Sequence, residues 1–287
     1  MPACFSDILN YFLDAVTATL LQVLILFGPL LVLAFLMHQV SRQVEKHSIR
    51  LMGLRGYLYT FGWLGTAVHE TGHAFFCLVF GHKITGMKLF SPDHENGTLG
   101  YVNHSYNRRN PYHNIGNFFI GISPVIFGSL LLYGLVWLLF DVRLNQISGD
   151  KIMPENFSNV DTILATFQAI WTGVVDFVSE IKQNSDNAWW KVLILIYVLF
   201  ASGSAVSMSK ADIAGAFSGF KYILILMFLI NLVCLSIKDF TGIIISEMSS
   251  TLSAFYFLVI ISLIINSLFL LFLFFVRKLV TNQYQQK

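Results

Sequence analysis

Runs of about twenty apolar residues recur along this 287-residue chain, and a run of that length has few structural options. Some 18–20 apolar residues in a helix cross the ~30 Å hydrocarbon core of a bilayer, where an unpaired backbone amide finds no water. The runs fall near residues 20–37, 57–80, 114–140, 189–206, 221–237 and 252–276. Composition agrees, with 55% of residues hydrophobic and 12% charged, against roughly 45–50% and 25% in soluble domains. The expected fold class is an all-α polytopic membrane protein with about six transmembrane helices, set in a lipid bilayer with both termini on one side.

The connecting segments differ in character. Residues 41–56 are basic and somewhat amphipathic and are expected at a headgroup surface. Residues 141–188 have helical apolar spacing and are expected to form an amphipathic surface helix. Between the second and third runs, residues 82–113 hold two short stretches of strand character around Pro92 and the turn signal Asn96-Gly97, which reads as a small β-hairpin or as a plain solvent loop. No linker divides the chain, so residues 1–287 are read as one integral membrane domain.

Charge narrows the partners. The net charge of +2 is spread out and excludes a nucleic-acid-binding face. Basic residues favour the side of Lys83, Lys88, Arg108, Arg109, Lys210, Arg277 and Lys278 over that of Arg42, Lys46, Arg50, Arg55 and Lys238, which puts the termini in the cytoplasm. Asp7 and Asp14, with no basic residue before the first run, argue for a retained anchor over a cleaved signal peptide. Cys4, Cys77 and Cys234 have no metal or redox spacing and read as buried apolar side chains.

Against this background HETGH, residues 69–73, is out of place. His69 lies twelve residues after Tyr57 and eleven before Phe80, in the middle of the second run. A charged side chain there costs about 2.5–3.5 kcal/mol on insertion scales, so ionisable residues held at that depth mark function. On a helix, residues four apart share a face, so His69 and His73 can bind one zinc ion while Glu70 reaches the nucleophilic water as general base.

A catalytic zinc site takes three protein ligands and keeps one position open. His82 is thirteen residues beyond His69, about 220° further round a continuing helix, and faces away from the pair. His94, His104 and His113 are loop candidates open on spacing. Asp212, in the Gly- and Ser-rich stretch 202–219, is the stronger candidate, because a helix breaks or begins there and leaves backbone free to approach a site. It also reads as a helix-start carboxylate three residues after a Ser209 cap, and the two roles are compatible. Asn117 and Ser123 in the third run are candidates for holding substrate or oxyanion, or for interhelical hydrogen bonds.

The HExGH motif in the second run, the β-like segment after it, a third run bearing Gly121 and Pro124, and a later aspartate near a helix break together resemble the site-2 proteases, in particular their compact bacterial branch. The resemblance covers about residues 56–232, which would be the catalytic core. It implies a multi-pass protein of the bacterial cytoplasmic membrane, with one catalytic zinc held by His69, His73 and Asp212 and with Glu70 activating water to cut a membrane-embedded protein or peptide substrate. Typical members lead into Leu-Asp-Gly, whereas here the aspartate stands in Lys210-Ala211-Asp212-Ile213-Ala214-Gly215.

Two other classes compete. A di-iron membrane oxidase also uses His-x3-His but needs further close histidine pairs, which His82, His94, His104 and His113 do not supply. A metal or proton transporter, or an inactive scaffold, would account for the buried ionisable residues. Glu70, which metal binding does not require, argues for catalysis.

Overall fold

A computed structural model describes residues 2–92, 99–143, 160–185, 188–206, 208–234 and 240–285. In chain order come α1 (Pro2–Tyr57), a π-helical turn (Leu58–Gly62), α2 (Trp63–Val79), β1 (Lys83–Lys88), β2 (Tyr101–Ser105), α3 (Pro111–Phe140), α4 (Val160–Gln183), α5 (Trp189–Val206), α6 (Lys210–Cys234) and α7 (Phe240–Gln285). The fold is thus mostly helical with one antiparallel hairpin.

Four stretches among the described residues are long and apolar enough to cross a membrane: Ser6–Val79, Pro111–Phe140, Lys210–Cys234 and Tyr256–Leu279. Trp189–Ala201 is a shorter apolar helix. The count falls below six partly because the expected loop 41–56 is itself helical, so the first two runs merge. That stretch has no proline, its charged residues are good helix formers, and its first glycine is Gly53. At Gly53 (φ 77, ψ 163) the helix breaks, in a conformation that costs glycine little. At 56 residues, α1 is roughly 80 Å long, well beyond one bilayer crossing.

The outside of the bundle is apolar. Leu78, Leu138, Phe217, Val233 and Leu271 are among many large exposed hydrophobics, while Gln22, Glu70, His73, Asn231 and Asn266 are buried. Where lipid is the solvent, helices gain nothing by hiding apolar surface from each other, and close backbone approach with interhelical hydrogen bonds takes over. Asn231 of α6 exchanges side-chain hydrogen bonds with Gln22 of α1 (2.9 and 3.1 Å) and donates to Thr19. Asn266 of α7 donates to the Leu199 carbonyl of α5, and Tyr256 of α7 donates to the Leu26 carbonyl of α1. Tyr197 of α5 donates to the Thr60 carbonyl in the π turn (2.6 Å) and accepts from the Trp63 indole (3.2 Å).

The central helix is α3, which packs against α2, α5, α6 and α7 and buries fifteen of its 30 residues. Around its C-terminal half, Leu132, Val136 and Phe140 meet Phe177 and Ile181 of α4, Leu195 of α5 and Phe257 of α7. Around its N-terminal half, Phe118, Ile122 and Val125 meet Leu30 of α1 and Ala216 and Ile223 of α6. Helix α4 is amphipathic as expected, lying on the bundle with Trp171 and Val178 outward.

The hairpin is short. Lys83 pairs with Ser105 and Met87 with Val102, with an irregularity between Ile84 and Gly86. The turn signal Asn96-Gly97 and His94 lie outside the described residues. The hairpin rests on α2, so closely that a Cβ on Gly100 would come within 2.9 Å of the Thr66 side chain, one turn before the HETGH motif.

Candidate metal centre

Three helices contribute to a convergence at the middle of α2. His69 and His73 project from adjacent turns with ring centroids 4.8 Å apart. From the first turn of α6, Asp212 places Oδ2 3.3 Å from His69 Nε2 and Oδ1 3.1 Å from His73 Nε2. The three donor atoms lie within 4.8 Å of one another.

Local chemistry explains how α6 delivers the carboxylate. Ser209 and Asp212 form a reciprocal capping pair: the Ser209 N–H donates to Asp212 Oδ2 (2.6 Å) and the Asp212 N–H donates to Ser209 Oγ (3.1 Å). The side chain is thereby held at the helix start, where the dipole favours negative charge. The helix must also come close to α3, and Gly121 permits it. A Cβ at position 121 would stand 2.5 Å from the Asp212 carbonyl oxygen and 2.6 Å from the Ala216 nitrogen, so any side chain forces the helices apart. Gly72 plays the same part between α2 and α3, where a Cβ would meet the Ser123 carbonyl oxygen at 3.0 Å.

Pro124 then fixes the orientation of His73. Proline has no amide hydrogen, so the carbonyl four residues earlier, that of Ile120, loses its helical donor. His73 Nδ1 takes the vacated place at 2.8 Å, and Ser123 Oγ donates to the same oxygen at 2.7 Å. Ser123 Oγ also lies 3.1 Å from His73 Nδ1. Because a carbonyl only accepts, Nδ1 carries the hydrogen and Nε2 presents its lone pair to Asp212. A lone pair 3.1 Å from a carboxylate calls for a cation or an added proton between them. The donor set of two imidazoles and one carboxylate, with one imidazole oriented by a backbone carbonyl, fits a metal ion.

Glu70, the residue after His69 on the same helix, is also buried. The cluster therefore has three groups able to hold a metal and a fourth, on the next residue of the same helix, able to move a proton.

The remaining candidates fall elsewhere. Ser123 is fully buried, donating within α3 to the Ile120 carbonyl and lying within hydrogen-bond distance of His73 on α2. Asn117 is buried on α3, its backbone carbonyl facing Gly215 of α6. His82, expected to point away along a continuing helix, is instead beyond the helix end at Val79 and is 3% exposed. His104 on β2 lies against it, with the two Nδ1 atoms 2.9 Å apart, and the His113 ring is next to it. These three keep company with each other, and His82 and His104 also lie near Cys77, in a group separate from that of His69, His73 and Asp212. Burial holds the His82 and His104 imidazoles below their ordinary pKa, which keeps both neutral near pH 7. The sequence does not by itself reveal that Pro124 leaves the Ile120 carbonyl open to His73 and Ser123; Cys77 is buried, as expected.

The chain matches no protein-family model, no curated protein and no solved structure.

Proposed function

We propose that this chain is an intramembrane zinc metalloprotease that hydrolyses a peptide bond of a membrane-embedded protein substrate. One observation carries the reading: His69, His73 and Asp212 converge within a largely apolar helical bundle, and the residue after His69 is Glu70, a buried carboxylate that metal binding does not need. The resemblance of HETGH, Pro124 and Asp212 to the site-2 proteases points the same way. The membrane arrangement proposed with it has six spans, with α1 and α2 on either side of Gly53, then α3, α5, α6 and α7.

The two histidines and Asp212 would hold the zinc, and Ile120 and Ser123 keep the His73 ring in its ligating tautomer. Bound zinc supplies a Lewis acid that polarises the scissile carbonyl and makes water a nucleophile near neutral pH. Glu70 takes the proton from the attacking water and returns it to the departing amine. A peptide must be unwound before its carbonyl is accessible, and each hairpin strand has an outer edge without a partner among the described residues. An extended substrate segment added to such an edge would lie beside α2 with its backbone held straight. An apolar cavity of about 240 Å³ between α1, α3 and α6, lined by Phe27, Leu31, Ile122, Ile213 and Phe217, offers room for apolar side chains.

Purified protein reconstituted into liposomes with membrane-embedded peptides provides the test. Chelation and His69→Ala should each abolish cleavage, and Glu70→Gln should lower it by about 10²–10⁴-fold with bound zinc retained. Zinc or proton flux that survives Glu70→Gln, without cleavage by the unaltered protein, would replace the enzyme with a transporter.

A further inference from the structure

A second set of donors converges where α2 ends. The chain leaves the helix through Gly81, whose φ of 69 lies in the left-handed region, and two backbone bonds close the turn. The His82 N–H donates to the Cys77 carbonyl (2.8 Å) and the Gly81 N–H to the Leu78 carbonyl (3.2 Å). This is the Schellman arrangement, in which the residue just past the turn folds back on the one three places before the cap, commonly as an apolar pair. Here the pair is His82 and Cys77. Strand β2 then adds His104, so that one ligand atom from each of Cys77, His82 and His104 lies within 4.8 Å of the others.

The orientation of His82 is already that of a ligand. Its Nε2–H donates to the His113 carbonyl (2.9 Å), which leaves the lone pair on Nδ1. An N–H to carbonyl bond of this kind is how metal-binding histidines are usually held. Its ring also stacks on Tyr106, with centroids 4.7 Å apart and planes 13° from parallel. The Nδ1 lone pair thus faces His104 Nδ1 at 2.9 Å, beside a fully buried thiol. Without a metal, the His104 Nδ1–H can donate to His82 Nδ1, which accounts for the two rings and leaves the cysteine without a role.

We propose that Cys77, His82 and His104 hold a second metal ion of the zinc class, which clamps β2 to the end of α2. One thiolate and two imidazoles select borderline-soft ions such as Zn²⁺ or Co²⁺ over Mg²⁺ and Ca²⁺. On binding, Cys77 releases its thiol proton to solvent and the His104 hydrogen moves to Nε2, so one proton leaves for each ion bound. The ion joins two elements far apart in sequence and braces the hairpin against the helix that carries His69 and His73. This proposal does not depend on the proteolytic reading.

Cobalt distinguishes the two sites, because a thiolate bound to Co²⁺ gives an intense near-ultraviolet charge-transfer band and a His, His, Asp set gives none. Metal-stripped full-length protein in detergent should take up about two cobalt ions per chain, with that band. The His69→Ala/His73→Ala variant should lose one ion and keep the band; Cys77→Ser and, separately, His104→Ala should each lose one ion, Cys77→Ser with complete loss of the band. Absence of the band from the unaltered protein overturns the proposal whether or not any variant folds. Persistence of the band in Cys77→Ser also overturns it, because the thiolate would then come from another cysteine.

Discussion

Two groups of donors share one helix, and the contrast between them separates chemistry from bracing. The group in the middle of α2 takes its third member from α6 and has a carboxylate, Glu70, next to its first histidine. The group at the end of α2 takes its third member from a strand and contains a thiol where the other has a carboxylate. Catalysis at a metal needs an open position and a group that moves protons, whereas a structural ion needs only to be enclosed. Among the described residues, of these two groups only the mid-helix one has a carboxylate, Glu70, next to its first histidine and a second, Asp212, on a neighbouring helix. In the two proposals the same helical scaffold carries an active centre in the middle of α2 and a clamp where the chain turns out of the bundle.

Several changes would break or sharpen this contrast. The largest effect is expected from Glu70→Gln, which should lower cleavage by about 10²–10⁴-fold, measured on a membrane-embedded peptide, while zinc content stays unchanged. Gly121→Leu should come next. Its side chain must push α6 from α3 at the Asp212 carbonyl, a clash costing about 1–3 kcal/mol even where the core adapts. Metal at the mid-helix site should then be lost, with the cobalt–thiolate band at the other site retained.

Pro124→Ala is the more selective perturbation. It restores an amide hydrogen aimed at the Ile120 carbonyl, which must then be shared with His73 and Ser123. Zinc affinity at the mid-helix site should fall about 10–100-fold, the usual cost of disturbing a group that orients a ligand. A competition titration with a chelating dye would measure this, and unchanged affinity would remove the proline from the account. The smallest effect is expected from Cys77→Ser, which should speed amide exchange in β1 and β2 and leave exchange in α3 as it was.

Much of the mid-helix site was legible before any coordinates. The spacing of His69, Glu70 and His73 is a helical pattern that depends on nothing distant, and Ser209 three residues before Asp212 is a local capping signal. The partner of His73 was less legible, because Pro124 acts by removing a hydrogen bond and its effect appears at Ile120. The convergence of Cys77, His82 and His104 was hidden by a wrong premise about the helix. The 220° placement of His82 assumes that α2 continues past Val79, but the helix ends there and Gly81, at positive φ, turns the chain. The merged first span has a related cause: charged residues were read as a loop, yet Arg42, Glu45, Lys46 and Arg50 are compatible with helix and only Gly53 interrupts it. Helix α4 was easier, since its apolar spacing alone defines the face that packs through Phe177 and Ile181.

The most direct test of the central claim maps protein N-termini in membranes of the cells that normally produce this chain, comparing the unaltered protein with Glu70→Gln at equal abundance and equal zinc content. The account predicts new termini within or beside apolar segments of membrane proteins, present with Glu70 and absent with Gln. Identical sets of termini in the two membranes would contradict it.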